Sequence, residues 1–137
     1  MPAPENPRRR DYFVYSMTAR GKSFYVGIGR SARASDRVRY VRYLMKRERD
    51  GRPVKWVLSN EVIAKLIARG IEVNWKHLRT GLNRAQALNH ERRIIEWFQR
   101  RGTVLANRQL NGGSELTAQT VLRDIGRRCK ERNAHAA

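Results

Sequence analysis

Apolar and polar residues are arranged along this chain with two distinct periods, and each period predicts an element. Residues 12–17 and 23–28 are rich in aromatic and β-branched side chains, and the Ala19-Arg20-Gly21-Lys22 stretch between them carries a turn glycine. This predicts a β-hairpin. Residues 71–78 alternate Ile71, Val73 and Trp75 with Glu72, Asn74 and Lys76, the period of a half-buried third strand.

Elsewhere the spacing is near 3.6 and predicts four helices. The first starts at a cap supplied by Ser31 or Ser35 and runs to about residue 49, with Val38, Val41 and Met45 inward and arginines outward; Gly51-Arg52-Pro53 ends it. The second covers roughly residues 54–69, with a break at Ser59-Asn60, a core stripe of Val62, Ile63, Leu66 and Ile67, and Gly70 as its C-terminal cap. In the third, opened by Asn83 and closed by Gly102, Ala87, Glu91, Ile94 and Phe98 share one face. Thr117 caps the last, in which Ala118, Val121, Leu122, Ile125 and Cys129 share a face.

The order β-β-α-α-β-α-α predicts an α+β fold, a small three-stranded antiparallel sheet flanked by helices. Residues 103–107 and the turn Asn111-Gly112-Gly113 must bring the chain back to the sheet. Residues 1–10 hold three of the four prolines and an arginine run and read as a flexible basic arm. Residues 11–132 then form one domain, and residues 133–137 a disordered tail. Trp56, Trp75 and Trp97 are expected in the core or at its rim.

A chain of 137 residues suffices for one core. It carries 30 Lys and Arg against 12 Asp and Glu, a net charge of +18, yet 40% of its residues are hydrophobic, so the charge is expected on a folded surface. Such a surface attracts polyanions, nucleic acid before membrane lipid. No apolar run approaches the ~18 residues of a spanning helix, and residues 1–10 lack the apolar core of a secretory signal, so a cytoplasmic location is expected. The lone Cys129 fits a reducing compartment, and the scattered His77, His90 and His135 suggest no metal cluster.

Against this background Glu91 is out of place, a carboxylate on an apolar helix stripe. An acid there needs a cation partner, a metal ion or a chemical task. It is either a pocket-edge residue paired with one of the many arginines or a functional group.

The hairpin and the Glu91 helix together resemble a GIY-YIG nuclease domain. Phe13-Val14-Tyr15 stands at the first family motif and Tyr25-Val26-Gly27, within SFYVGIG, at the second; an arginine-bearing helix follows. Later come Ala87-x-x-x-Glu91 with Ile94-Ile95, then Leu105-x-Asn107. The resemblance spans residues 12–113. It implies a metal-dependent endonuclease cutting DNA by hydrolysis at a single-metal site, with Tyr15, Tyr25, one helix arginine, Glu91 and Asn107 as the active-site set. The first motif lacks its glycine, and the helix after the hairpin lacks the family's histidine. Arg37, followed by Val38, is the favoured catalytic arginine, Arg33 is the alternative, and Tyr40 stands in for the missing side chain.

In this reading Glu91 holds Mg²⁺ or Mn²⁺, because a lone carboxylate completed by water and phosphate oxygens suits a hard cation. Arg37 offers a planar donor fork to the scissile phosphate. Tyr15 or Tyr25 orients or deprotonates the attacking water, which requires nearby cations to lower its pKa. Asn107 orients an active-site group. Gly27 and Gly29, at alternate strand positions, mark a close approach that a phosphate backbone would fit, and with Arg30, Arg39 and Tyr40 they are the expected substrate contacts. The rival readings are a non-cleaving nucleic-acid-binding module with a nuclease-like fold, and a basic ribosome- or nucleoid-associated protein. The sequence leaves DNA against RNA and the oligomeric state open.

Overall fold

A computed structural model of the chain describes residues 9–30, 33–107 and 116–135, with residues 33–35 and 131–135 described by their backbone alone. The elements are β1 (Tyr12–Ala19), β2 (Lys22–Arg30), α1 (Arg33–Arg49), α2 (Leu58–Ala68), β3 (Val73–Leu82), α3 (Arg84–Arg100) and α4 (Ala118–His135). They form the expected α+β arrangement, an antiparallel sheet in the order β2-β1-β3 with four helices.

Local chemistry explains most of the boundaries. Arg20 and Gly21 both adopt positive φ, at 53° and 76°, so the hairpin closes through a two-residue turn of the kind whose twist matches the strands. Asn83 accepts a hydrogen bond from the Gln86 amide, and the Gln86 side chain accepts one from the Asn83 amide, a reciprocal cap that fixes the start of α3. At α4 the Thr120 amide donates to the Thr117 hydroxyl and the Thr117 amide to the Thr120 hydroxyl.

The expected boundaries fail where no local signal decides. Helix α2 begins at Leu58, four residues after the predicted position, with Val57 as an N-terminal cap whose side chain accepts nothing. Strand β3 starts at Val73 and continues to Leu82, because its register is set by pairing with β1, from Ala19↔Val73 to Tyr12↔Leu82. Like β2 it is an outer strand of the sheet, but unlike β2 it is mostly exposed, and Trp75, expected in the core or at its rim, is 40% exposed. Helix α4 continues to His135, past the predicted start of a disordered tail. Helix α1 is already running at Arg33, which puts Ser35 inside it. The arm's residues 1–8, Ser31, the Asn111-Gly112-Gly113 turn and residues 136–137 lie outside the described residues.

Alternation along β1 sends its side chains to two faces, both covered. Phe13, Tyr15, Met17 and Ala19 pack with Val41 of α1, Val62, Ile63 and Leu66 of α2, and Val121, Leu122 and Ile125 of α4. Tyr12 and Val14, with Val26 of β2, pack against Ala87 and Ile95 of α3 and against Leu105. A bulge in β2, where Met17 pairs with Tyr25 but Thr18 with Ser23, leaves Phe24 outside the ladder, and Phe24 and Tyr25 both join the first of these cores. No helix among the described residues is long and apolar enough to cross a membrane.

Candidate functional site

Arg37 projects from the first turns of α1 and is held from several sides. Its Nη1 donates to the Tyr15 hydroxyl at 3.3 Å, its Nη2 to the Ser59 hydroxyl, and its Nε to the Asn60 side-chain Oδ1 at 3.3 Å. The guanidinium also lies 4.2 Å above the Tyr25 ring, a cation–π arrangement. The Tyr15 and Tyr25 ring centroids are 6.2 Å apart. Burial opposes the charge of Arg37, but the phenolic groups of Tyr25 and Tyr15 outweigh it and keep the guanidinium protonated. Of the two arginines considered, Arg37 is thus the one seen to join the tyrosines; the Arg33 side chain lies outside the described residues.

Tyr15 departs from expectation. Its pKa is raised, not lowered: burial dominates, Tyr25 adds to it, Arg37 opposes it, and Glu91 adds further. Tyr15 therefore remains a neutral hydroxyl at physiological pH, a hydrogen-bonding group and not a phenolate base.

The reason for the two strand glycines also differs from expectation. A Cβ on Gly27 would lie 2.9 Å from the Tyr15 hydroxyl and 2.9 Å from Tyr25 Cε1, and one on Gly29 would lie 2.9 Å from Phe13 Cζ. Each glycine pairs across the ladder with the residue whose ring fills its space, Tyr15↔Gly27 and Phe13↔Gly29. Aromatic rings, not a phosphate backbone, occupy the room they leave.

Asn107 reaches the free edge of β2. Its Oδ1 accepts from the Val26 amide at 3.0 Å and its Nδ2 donates to the Val26 carbonyl at 2.6 Å, while the Ala106 amide donates to the Phe24 carbonyl. The side-chain amide thus imitates a neighbouring strand, and it covers an edge that would otherwise be open. Asp124, buried in α4, supports the segment: its Oδ2 accepts from the Val104 amide at 3.1 Å, with Arg127 and Arg128 paired to the same carboxylate. Arg128 donates onward to the Ser23 carbonyl of β2.

Beside this cluster opens a cleft of about 600 Å³, lined by Tyr25, by Val57, Leu58 and Ser59 at the start of α2, and by Ala106 and Asn107. The start of α2 has no side-chain cap, so its first-turn N–H groups give the cleft an electropositive wall. Sequence reading missed Ser59, Asn60 and Asp124. Its one hint was the polar Ser59-Asn60 pair, taken for a helix break.

Glu91 lies half-buried on α3, one turn after the buried Ala87 and one turn before the buried Ile95. Burial pushes its carboxyl above the usual glutamate range, and its charge is felt at Tyr15. Among the described residues it makes no hydrogen bond or ion pair, so none of the chain's described arginines neutralises it. No group of three His, Cys, Asp or Glu able to hold a metal ion stands together among those residues. A cation here would have Glu91 as its single carboxylate ligand, with the remaining positions left to water and substrate oxygens.

The other expected contacts lie outside this cluster. Arg30 is engaged by Asp11, with Nε 3.3 Å from Oδ2. Arg39 is exposed on α1. Tyr40 is 53% exposed, and its ring stacks on that of Tyr43; at the cluster itself the polar partners of Arg37 come instead from Ser59 and Asn60. No known protein family, curated protein or solved structure matches the chain.

Proposed function

We propose that this chain is a metal-dependent endonuclease of the GIY-YIG kind, hydrolysing phosphodiester bonds in nucleic acid, with DNA as the first substrate to test. One observation carries the reading. Tyr15, Tyr25 and Arg37, from three separate elements, are joined by a hydrogen bond and ring contacts into one group, and the charge of Glu91 on a fourth element acts on Tyr15.

Each residue has a task that its surroundings support. The three hydrogen bonds to Arg37 fix its fork, and its partner Ser59 and the Tyr25 ring beneath it line a cleft with an electropositive wall, which suits an anionic phosphoryl group. Glu91 would hold Mg²⁺ or Mn²⁺; when bound, the cation supplies positive charge against the negative charge that develops on the phosphoryl oxygens. The neutral Tyr15 hydroxyl positions the attacking water or a phosphate oxygen by hydrogen bonding, and Tyr25 underlies the guanidinium and sets its plane. Asn107 holds β2 straight at Val26, between Tyr25 and Gly27, and acts as a positioning residue.

A non-cleaving nucleic-acid-binding module is the second reading. It is favoured by Tyr15, whose raised pKa removes it as a base. Incubating supercoiled plasmid with the protein separates the two. Nicking with Mg²⁺ or Mn²⁺ that stops with chelator supports the enzyme. Binding without nicking in either metal supports the module. Arg33→Ala and Arg37→Ala measured side by side then test the arginine assignment, because a catalytic arginine lowers turnover far more than affinity.

A further inference from the structure

Helix α3 carries two stripes. Ala87, Glu91, Ile95 and Phe98 turn toward the sheet, while His90, Arg93 and Trp97 form a second line rotated by about 100°, with Ile94 at the boundary, packed against the core and lining the groove. This second line borders a groove of about 550 Å³ whose other bank is Lys76, Leu78 and Arg79 of β3. The groove contains no carboxylate, and no ion pair to Lys76, Arg79 or Arg93 exists among the described residues. The comparable groove between α1 and α2, about 570 Å³, sets Glu48 and Glu61 among Arg42, Arg49 and Lys65. A lining without acids thus distinguishes the β3–α3 groove from the α1–α2 groove.

An aromatic platform lies in the same groove. Trp97, expected in the core or at its rim, is 48% exposed, and the Arg101 guanidinium covers its ring at 3.6 Å. Exposing an indole is unfavourable in water and is useful where a flat partner covers it. Cations on both banks with a half-exposed indole at the end match what a single nucleic-acid strand needs, which is phosphate neutralisation and a surface on which an unstacked base can lie. A duplex would use the cations but not the exposed part of the indole, since its bases are already stacked.

We propose that the β3–α3 groove is a track for a single-stranded nucleic-acid segment, with Lys76, Arg79 and Arg93 at its phosphates and Trp97 stacking one base. The inference rests on the nucleic-acid part of the functional reading and not on cleavage. The groove-lining His90 directly precedes Glu91, so the groove and the proposed metal ligand share helix α3, and the substrate class becomes nucleic acid with an unpaired segment.

The test is fluorescence anisotropy with a labelled single-stranded oligonucleotide and with its duplex, over a range of salt. Lys76→Gln/Arg93→Gln should weaken single-strand binding about tenfold or more and reduce the salt slope by about 1.4, for two phosphate contacts at ~0.7 each. Trp97→Ala should cost about tenfold on the single strand and much less on the duplex. The matched control Arg42→Gln/Arg49→Gln, equal in charge change, should cost less than about threefold. An oligonucleotide carrying 5-bromouracil should photo-crosslink to the α3 peptide that contains Trp97, a readout in the unaltered protein that needs no variant to fold. Equal losses in the two double variants, or crosslinks that avoid α3, overturn the groove while the nucleic-acid reading stands. Absence of wild-type binding to any oligonucleotide overturns both.

Discussion

The two faces of the sheet are built on different principles. On the face covered by α1, α2 and α4, polar groups enter the core and are partnered: Arg37 with Tyr15, Ser59 and Asn60, and Asp124 with Val104, Arg127 and Arg128. On the face covered by α3, the core is apolar, and Glu91 stands beside it with no hydrogen-bond or ion-pair partner among the described residues. Partnered polar groups fix geometry, because moving one leaves several buried atoms unsatisfied. An unpartnered half-buried acid costs stability, so its retention points to a task. In the proposed site one face holds the arginine and phenols rigid, and the other supplies the charge that is free to bind.

The largest expected effect tests that division directly. Glu91→Gln should lower metal-dependent plasmid nicking by at least ~10² while leaving oligonucleotide binding equal or tighter, because the cation acts on charge that develops only in the transition state. A variant that nicks normally would remove Glu91 from the site.

Next in size is Arg37→Lys, which keeps the charge but cannot hold Tyr15, Ser59 and Asn60 at once. Nicking should fall about thirtyfold with affinity changed less than about threefold. Equal losses in turnover and affinity would make Arg37 a binding residue only.

Gly27→Ala sharpens the reading of the strand glycines. The new methyl must displace the Tyr15 and Tyr25 rings, so nicking should drop about tenfold with a modest fall in melting temperature, roughly 2–4 °C. Unchanged activity would show that ring placement is immaterial to the reaction.

The smallest effect is a pH dependence in the metal-free protein. The raised pKa of Glu91 means that the folded state keeps a proton the unfolded chain has already lost. That stabilising contribution is complete below the ordinary glutamate range and is lost as pH rises through the raised value. In chelator, the melting temperature of Glu91→Gln should therefore match wild type near about pH 4 and exceed it increasingly toward about pH 7. Added Mg²⁺ should narrow the gap by stabilising wild type alone. A variant less stable than wild type at neutral pH would mean that Glu91 has a cationic partner.

What the sequence alone determined was whatever short-range chemistry controls: the hairpin turn at Arg20-Gly21, the Asn83 and Thr117 caps, the stripe of α3, and from these the α+β order. Glu91 was visible because one acid breaks an otherwise apolar period. Tertiary structure alone decided what depends on partners distant along the chain. The limits of β3 came from its register with β1, and helix packing that buries the other outer strand, β2, but not β3 left Trp75 40% exposed. The role of Ser59 and Asn60 came from an arginine on another helix, and the purpose of Gly27 from a ring on the neighbouring strand. Periodicity says which face a residue takes; it cannot say what stands opposite, and for charged and hydroxyl groups the opposite partner sets pKa, orientation and use.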